Sequence, residues 1–212
     1  MRNYKSRISS AILSDVLDSL GYEHQLLPSE IRPNFIEARI FGRARTMTLK
    51  PLDSGQDYKE VYKGLNFLAT LNQREILVVA NGFNELAFFG EIMATLAKYR
   101  GVDGVIVDGC TRDTVETVKM VYPVFARSHF ARDIKKRGVI GALDSEVKIG
   151  ECTIQPGDLL FGDYDGVVVI PQKIQKKVLA KSIKVANLEK KIKKDIKRGV
   201  NIEDILREKG EF

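Results

Sequence analysis

The sequence predicts an α/β fold, a single-domain layered sandwich of the α/β/α type around a mixed central β-sheet, on three observations. Two short runs, Glu75 to Ala80 and Val102 to Val107, have the nearly unbroken hydrophobicity of strands covered on both faces. Each follows a stretch with helical spacing, Tyr58 to Leu71 and Ala87 to Tyr99, the alternation that builds a parallel sheet. After residue 137 the texture changes to short strands joined by Gly, Pro and Asp turns, which reads as antiparallel. The chain of 212 residues is long enough to bury a substantial core. No repeat, low-complexity tract or Pro/Gly/Ser linker divides it, so residues 1–212 read as one domain.

Taken in order, Ile8 to Leu20 carries apolar residues at Ile12, Leu13, Val16, Leu17 and Leu20, a helical spacing. Ser9 or Ser10 is its cap and Gly21 its stop. Ile36 to Leu49 reads as extended, with RARTMTL alternating roughly inward and outward. The helix over Tyr58 to Leu71 leads to the strand Glu75 to Ala80, and the helix over Ala87 to Tyr99 ends at Gly101. Val102 to Val107 runs into a polar loop, Thr114 to Met120 is a short helix capped by Asp113 or Thr114, and Tyr122 to Arg127 is a third strand. Val167 to Ile170 is the last apolar strand, ended by Pro171. Lys173 to Arg198 reads as one long helix with apolar residues near every fourth position, stopped by Gly199 and followed by a short terminal helix.

Composition narrows the function classes. Hydrophobic residues make up 44% and charged residues 29%, ordinary for a globular protein. No apolar run approaches the roughly 20 residues of a membrane span, and the polar start MRNYKSRISS lacks a signal-peptide core, so the expected location is cytoplasmic. The net charge of +6 is local: residues 176–198 hold ten Lys/Arg and two Asp/Glu, leaving the rest of the chain at −2. With no RNA-binding motif and no interleaved aromatics, this basic stretch reads as the solvated face of a packed helix, not a nucleic-acid site. Cys110 and Cys152 match neither a disulfide framework nor a zinc motif and read as small buried hydrophobes; neither His nor Lys adjoins Cys110 to activate it. His24 and His129 are the only histidines, which argues against a His-rich zinc site and Ser-His chemistry. No glycine-rich dinucleotide or P-loop motif is present.

The chemistry concentrates in residues 90–113. Gly90 opens a helix, and a buried strand then runs into Asp108-Gly109-Cys110-Thr111-Arg112-Asp113. The carboxyl end of a buried strand is where α/β proteins usually bind ligands, and a nearby helix start offers free N–H groups to an anion. Two carboxylates and a guanidinium within six residues suit a small anionic substrate and a hard metal ion.

The same stretch, Gly90-Glu91-Ile92-Met93-Ala94 followed by Gly101-Val102, Gly104, Asp108-Gly109 and Arg112-Asp113, resembles the RraA-like family. So do Gly42-Arg43-Ala44-Arg45-Thr46, Pro123 to Arg127, and Pro156-Gly157-Asp158 with Asp163, Gly166-Val167 and Ile170-Pro171. The resemblance covers roughly residues 8–200 and implies a swivelling-domain-like α/β fold. The family includes metal-dependent class II pyruvate aldolases that act on 4-hydroxy-4-methyl-2-oxoglutarate and 4-carboxy-4-hydroxy-2-oxoadipate. By that resemblance, Asp113 is the ligand of Mg²⁺ or Mn²⁺. Arg112 faces the substrate's ketone oxygen, and Gly90, Glu91, Ile92 and Met93 cradle its carboxylate. Glu91 is left between holding a metal-bound water and favouring the helix dipole. Asp108 orients Arg112 or a water. Glu189 lies where the family carries an acidic residue that approaches a neighbouring subunit's site.

The implied activity is that of a lyase, releasing pyruvate from a 4-hydroxy-2-oxo acid or decarboxylating oxaloacetate through a pyruvate enolate. The implied assembly is a homotrimer or homohexamer. The alternative is a non-catalytic regulator of the RraA type that docks onto an RNA-degrading enzyme. A menaquinone methyltransferase is disfavoured, since no glycine-rich loop for an S-adenosyl cofactor is present. This sequence departs from the family at Asp53-Ser54-Gly55-Gln56-Asp57, where a Gly-Asp-Asn-like turn is common, a change that bears on substrate choice. It departs again at Asn72 to Glu75, where the difference looks structural.

Overall fold

The computed structural model describes residues 2–209; the domain expected over residues 1–212 extends past them at both ends. The chain opens with α1 (Arg2–Lys5), α2 (Ser10–Asp18), β1 (Arg32–Pro33) and β2 (Ile40–Pro51). A 3-10 turn at Tyr58–Tyr62 then precedes α3 (Lys63–Thr70), β3 (Glu75–Ala80), β4 (Ala87–Phe89), α4 (Glu91–Arg100) and β5 (Gly104–Thr111). Next come α5 (Thr114–Lys119), β6 (Val124–His129), β7 (Gly138–Leu143), β8 (Val147–Ile149) and β9 (Cys152–Ile154). β10 (Leu159–Asp163), β11 (Gly166–Ile170), α6 (Gln175–Lys197) and α7 (Ile202–Lys209) complete it.

One mixed sheet runs in the order β1-β6-β5-β3-β2-β10-β11. The β/α half supplies the parallel pairs β2·β3, β3·β5 and β5·β6, and the later half supplies the antiparallel pairs β10·β2 and β10·β11. Period-two alternation divides the apolar run of β3 between two cores. Leu77 and Val79 face α3 and α4 beside Phe67, Leu68, Ala94 and Ala97. Ile76, Val78 and Ala80 face the opposite layer, the segment from Leu27 to Ala38 and the β8–β9 hairpin. A third cluster joins α2 and α6 to β10 and β11 through Leu13, Leu17, Phe161 and Val178. The amphipathic pattern of α2 is thereby satisfied, and the Ser9 hydroxyl caps it by accepting from the Ile12 N–H at 3.3 Å.

Several element boundaries differ from expectation. Tyr58 to Leu71 is a 3-10 turn followed by a helix, with the Asp57 carboxylate accepting from the Lys59 N–H at 2.9 Å. Ala87 to Phe89 is a strand, not the start of α4, because its backbone pairs with the end of β5; three apolar residues carry no period that distinguishes the two. Asp108 to Thr111 belongs to β5 and is not a loop, since the pairing with β6 continues to Thr111 and His129. The long basic helix begins at Gln175, after a short turn. Among the described residues no helix is long and apolar enough to cross a membrane.

Candidate functional site

Gly90 and Arg112 are 22 residues apart in sequence, and parallel pairing closes that gap. Ala87 lies opposite Cys110 and Phe89 opposite Thr111, and the Arg112 N–H donates to the Phe89 carbonyl at 2.9 Å. The first turn of α4 is therefore set against the end of β5. Gly90 is extended, with φ −149°, so its need for glycine is spatial. A Cβ there would lie 2.5 Å from Asp113 Oδ2 and 3.1 Å from Arg112 Cγ.

Asp113 adopts a left-handed conformation, φ 55° and ψ 36°, which Asp tolerates better than most residues. It stands at the cap position of α5, but its side chain does not cap that helix. Asp113 Oδ2 instead accepts from the Glu91 N–H at 3.1 Å, at the positive end of α4. The guanidinium of Arg112 lies between two carboxylates. Nη2 is 2.8 Å from Asp133 Oδ2, and Nε is 3.7 Å from Asp113 Oδ2. The side chains of Arg112 and Asp113 are 37% and 41% exposed, open enough to meet a ligand.

These groups edge a pocket of about 290 Å³. Gly90, Arg112, Asp113 and Asp133 form its polar side, and Val61, Leu65, Phe88, Met93 and Ile134 its apolar side, with Tyr62 and Lys135 at the lining. A second hollow, against His129 and Phe130, shares Arg112 and Asp113. Position alone leaves the first-turn N–H groups of Ile92 and Met93 without intrahelical acceptors, and the Ile92 side chain is 77% exposed.

The structure thus brings together Gly90, Met93, Arg112 and Asp113, with Ile92 at the lining and the Glu91 backbone on Asp113. The side chain of Asp108 is not brought to this pocket. It is 15% exposed and pairs with Arg127 Nε across β5 and β6, so its partner is Arg127 and not Arg112. Glu189 pairs with Lys193 at 2.8 Å on α6, in a basic groove shared with Arg7 and Arg39 and away from Arg112 of the same chain. His24 faces Glu151 on the surface. Both cysteines are buried and free. The Cys110 thiol donates to the Asn84 carbonyl and is pushed up by burial, then by Glu85; burial and then Asp158 push Cys152 up to about 12. Asp133 is the site residue that sequence reasoning missed. Its only signal was an isolated carboxylate among Arg132, Lys135, Lys136 and Arg137.

Comparison with known proteins identifies the family and the fold. Residues 10–169 match the RraA-like family, described as Aldolase/RraA. An uncharacterised protein of Methanocaldococcus jannaschii is 30% identical over 167 residues, 79% of this chain and 77% of that one. A protein of Halalkalibacterium halodurans, named only provisionally as a 4-hydroxy-4-methyl-2-oxoglutarate aldolase, is 32% identical over 84% of this chain and 79% of its own. The crystal structure of an uncharacterised protein from Pseudomonas syringae pv. tomato superposes with a TM-score of 0.84 at 28% identity, covering 96% of this chain and 94% of that one. A Streptomyces coelicolor protein described as an unusual member of the RNase ES inhibitor RraA family shares the fold, with a TM-score of 0.79 at 23% identity over 90% of this chain and 94% of that one. This chain belongs to the RraA-like family.

Proposed function

We propose that this chain is a divalent-metal-dependent carbon–carbon lyase. It cleaves a 4-hydroxy-2-oxo acid to pyruvate and a second carbonyl compound, or decarboxylates oxaloacetate through the same pyruvate enolate. The observation that carries this reading is the convergence of Arg112, Asp113 and the first turn of α4 on one pocket. The provisional name of the Halalkalibacterium relative supports it.

Asp113 fits a Mg²⁺ or Mn²⁺ ion. One carboxylate oxygen is engaged by the Glu91 N–H, and the side chain remains partly open. As the family resemblance implies, such an ion would take the Asp113 carboxylate and complete its sphere with water and substrate oxygens, as hard divalent cations commonly do. Bound there, it would supply Lewis-acid stabilisation of the charge on the substrate's 2-oxo oxygen.

The rest is done by the chain itself. The N–H groups of Ile92 and Met93 receive the substrate carboxylate at the positive end of α4. The absent Cβ of Gly90 leaves room for that approach. Arg112 faces the ketone oxygen and stabilises the enolate as charge builds on it. Cleavage breaks C3–C4. Its electron pair moves onto C3 and the 2-oxo oxygen, the C4 hydroxyl becomes a carbonyl as its proton passes to water, and protonation at C3 gives pyruvate. Asp108, facing Arg127, acts as a structural anchor in this scheme. Exposed Ile92, Tyr99, Val115 and Val121, on and beside α4 and α5, support self-association, and the family resemblance makes a homotrimer or homohexamer the assembly we propose.

The test is pyruvate release from oxaloacetate and from 4-hydroxy-4-methyl-2-oxoglutarate with Mg²⁺ or Mn²⁺, then with EDTA. Metal-dependent release from either supports the reading; none from either, in folded oligomeric protein, rejects these substrates. A second reading, a regulator docking onto an acidic surface of an RNA-degrading enzyme, is favoured by the groove lined by Arg7, Arg39, Lys190, Lys193 and Lys194. Co-purification with a ribonuclease, reversed by salt, tests it.

A further inference from the structure

Asp133 is fixed at the pocket by its backbone. It bridges to Ala87 of β4; the Ala87 N–H donates to the Arg132 carbonyl at 2.7 Å and the Ile134 N–H donates to the Ala87 carbonyl at 3.1 Å. Its Oδ1 accepts from the Lys135 N–H and its Oδ2 engages Arg112 Nη2. This carboxylate is therefore held against the same strand that delivers Gly90. It has two effects. It engages Nη2 of the Arg112 fork, so a second substrate carboxylate would have to compete with it there. It also adds a negative charge where such a carboxylate would arrive.

Apart from Tyr62 and Lys135, the remainder of the pocket is apolar. Val61, Leu65, Phe88, Met93 and Ile134 are apolar, and the preceding 3-10 turn that carries Val61 and Tyr62 follows the departure from the family pattern at residues 53–57. Lys135 is the other cation of the lining. It is exposed, with Nζ over the rings of Tyr58 and Tyr62 at 5.8 and 5.7 Å.

We propose that Asp133 is a specificity-determining residue, and that this pocket takes 2-oxo acids, including 4-hydroxy-2-oxo acids, whose far end is uncharged and apolar in preference to those ending in a second carboxylate. The inference rests on the lyase reading of the same site. Asp133 also positions Arg112, which it holds at 2.8 Å.

The test is calorimetric binding of 4-methyl-2-oxopentanoate and of 2-oxoglutarate to the full chain with Mg²⁺, in the wild type, Asp133→Asn and Asp133→Glu. The wild type is expected to bind the apolar acid about tenfold more tightly, and Asp133→Asn to narrow that ratio by a comparable factor through gained affinity for 2-oxoglutarate. Asp133→Glu, which keeps the charge, is expected to retain the wild-type preference. Equal or tighter binding of 2-oxoglutarate by the wild type would overturn the proposal, as would an unchanged ratio in a folded Asp133→Asn protein. If Asp133→Asn does not fold, the wild-type ratio decides alone. Exchange of the pyruvate methyl protons in D₂O with Mg²⁺ separates the two levels, since pyruvate has no far end. Exchange without discrimination overturns only the specificity inference; absence of exchange overturns the lyase reading and this inference with it.

Discussion

Gly90→Ala is the sharpest perturbation of the site, because it adds one methyl group and demands nothing of the backbone. Residue 90 is extended, a conformation open to alanine, so no strain enters through φ. The new Cβ would lie 2.5 Å from Asp113 Oδ2 and 3.1 Å from Arg112 Cγ, and the carboxylate must move. Asp113 has a short side chain on a left-handed backbone, and its Oδ2 is the atom bonded to the Glu91 N–H, so moving it breaks that bond. A hydrogen bond to a charged group is worth about 1.5–3 kcal/mol, which is roughly 10- to 150-fold in an equilibrium constant. Loss of glycine at a helix N-cap costs about 1 kcal/mol or less of global stability. Gly90→Ala is thus expected to weaken Mg²⁺ affinity and pyruvate-releasing kcat/KM by about one to two orders of magnitude. The melting temperature should drop by only a few degrees. Magnesium titration calorimetry, steady-state kinetics and a thermal melt read the three quantities. Wild-type metal affinity in a normally folded Gly90→Ala protein would refute the placement of the carboxylate against Gly90, and with it the proposed metal position.

Asp113→Asn should abolish Mg²⁺-dependent turnover while keeping the fold, because Asn also tolerates the left-handed backbone; a variant that turned over at the wild-type rate would remove Asp113 from the metal site. Asp108→Asn should lower stability by about 1–3 kcal/mol by weakening the contact to Arg127 and leave turnover near wild type; lost turnover at unchanged stability would restore the catalytic role expected from sequence. For Cys152 the fold favours the neutral thiol, raising its value from 9.0 to about 12. Its contribution is therefore fully present below about 9 and is lost as pH rises through about 12, so the stability gap between wild type and Cys152→Ala should shrink across that window in alkaline melts. Thiol-specific labelling of folded protein at pH 8 should be slow at both cysteines; labelling at the rate of a free thiol would contradict their burial.

Much of the fold is legible wherever a stretch of chain meets a single kind of environment throughout its length. β3 is buried on both faces, so all of its side chains after Glu75 are apolar and its ends can be read to the residue. α2 has one buried face and an explicit Ser9 cap, and its period shows. β4 is different. Its three residues are apolar in either a strand or a helix, and only the edge that β5 leaves free beyond Val107, where its pairing with β3 ends, decides that they pair. The 3-10 turn at Tyr58–Tyr62 is hidden in the same way, since its apolar and aromatic residues merge into the pattern of α3.

The site is legible where its geometry is carried by strand ends and hidden where a register changes. Asp108 and Arg112 are four residues apart in a stretch that reads as one polar loop, and that nearness is why the sequence suggests that the two interact. Ile106 and Asp108 do share a face, Ile106 with Phe125 in one core and Asp108 with Arg127. The pairing with β6 then slips between Val107 and Cys110, and the pairing with β4 slips between Ala87 and Phe89. Such an irregularity re-aims the residues beyond it. Gly109 permits the close passage there, since a Cβ on it would meet the Gly82 Cα at 2.8 Å and the Phe83 nitrogen at 2.9 Å. Past that point Arg112 turns toward Phe89 and Gly90, the opposite side from Asp108, and its salt-bridge partners become Asp113 and Asp133. Asp133 reaches the same place along an independent path, the bridge to Ala87. A pairing made by two strands that meet only in the folded chain leaves no spacing in the sequence. The Arg112–Asp133 contact therefore shows only in the folded chain, while the approach of Gly90 to Arg112 and Asp113, made within one βαβ unit, is implied by the resemblance of residues 90–113 to the family.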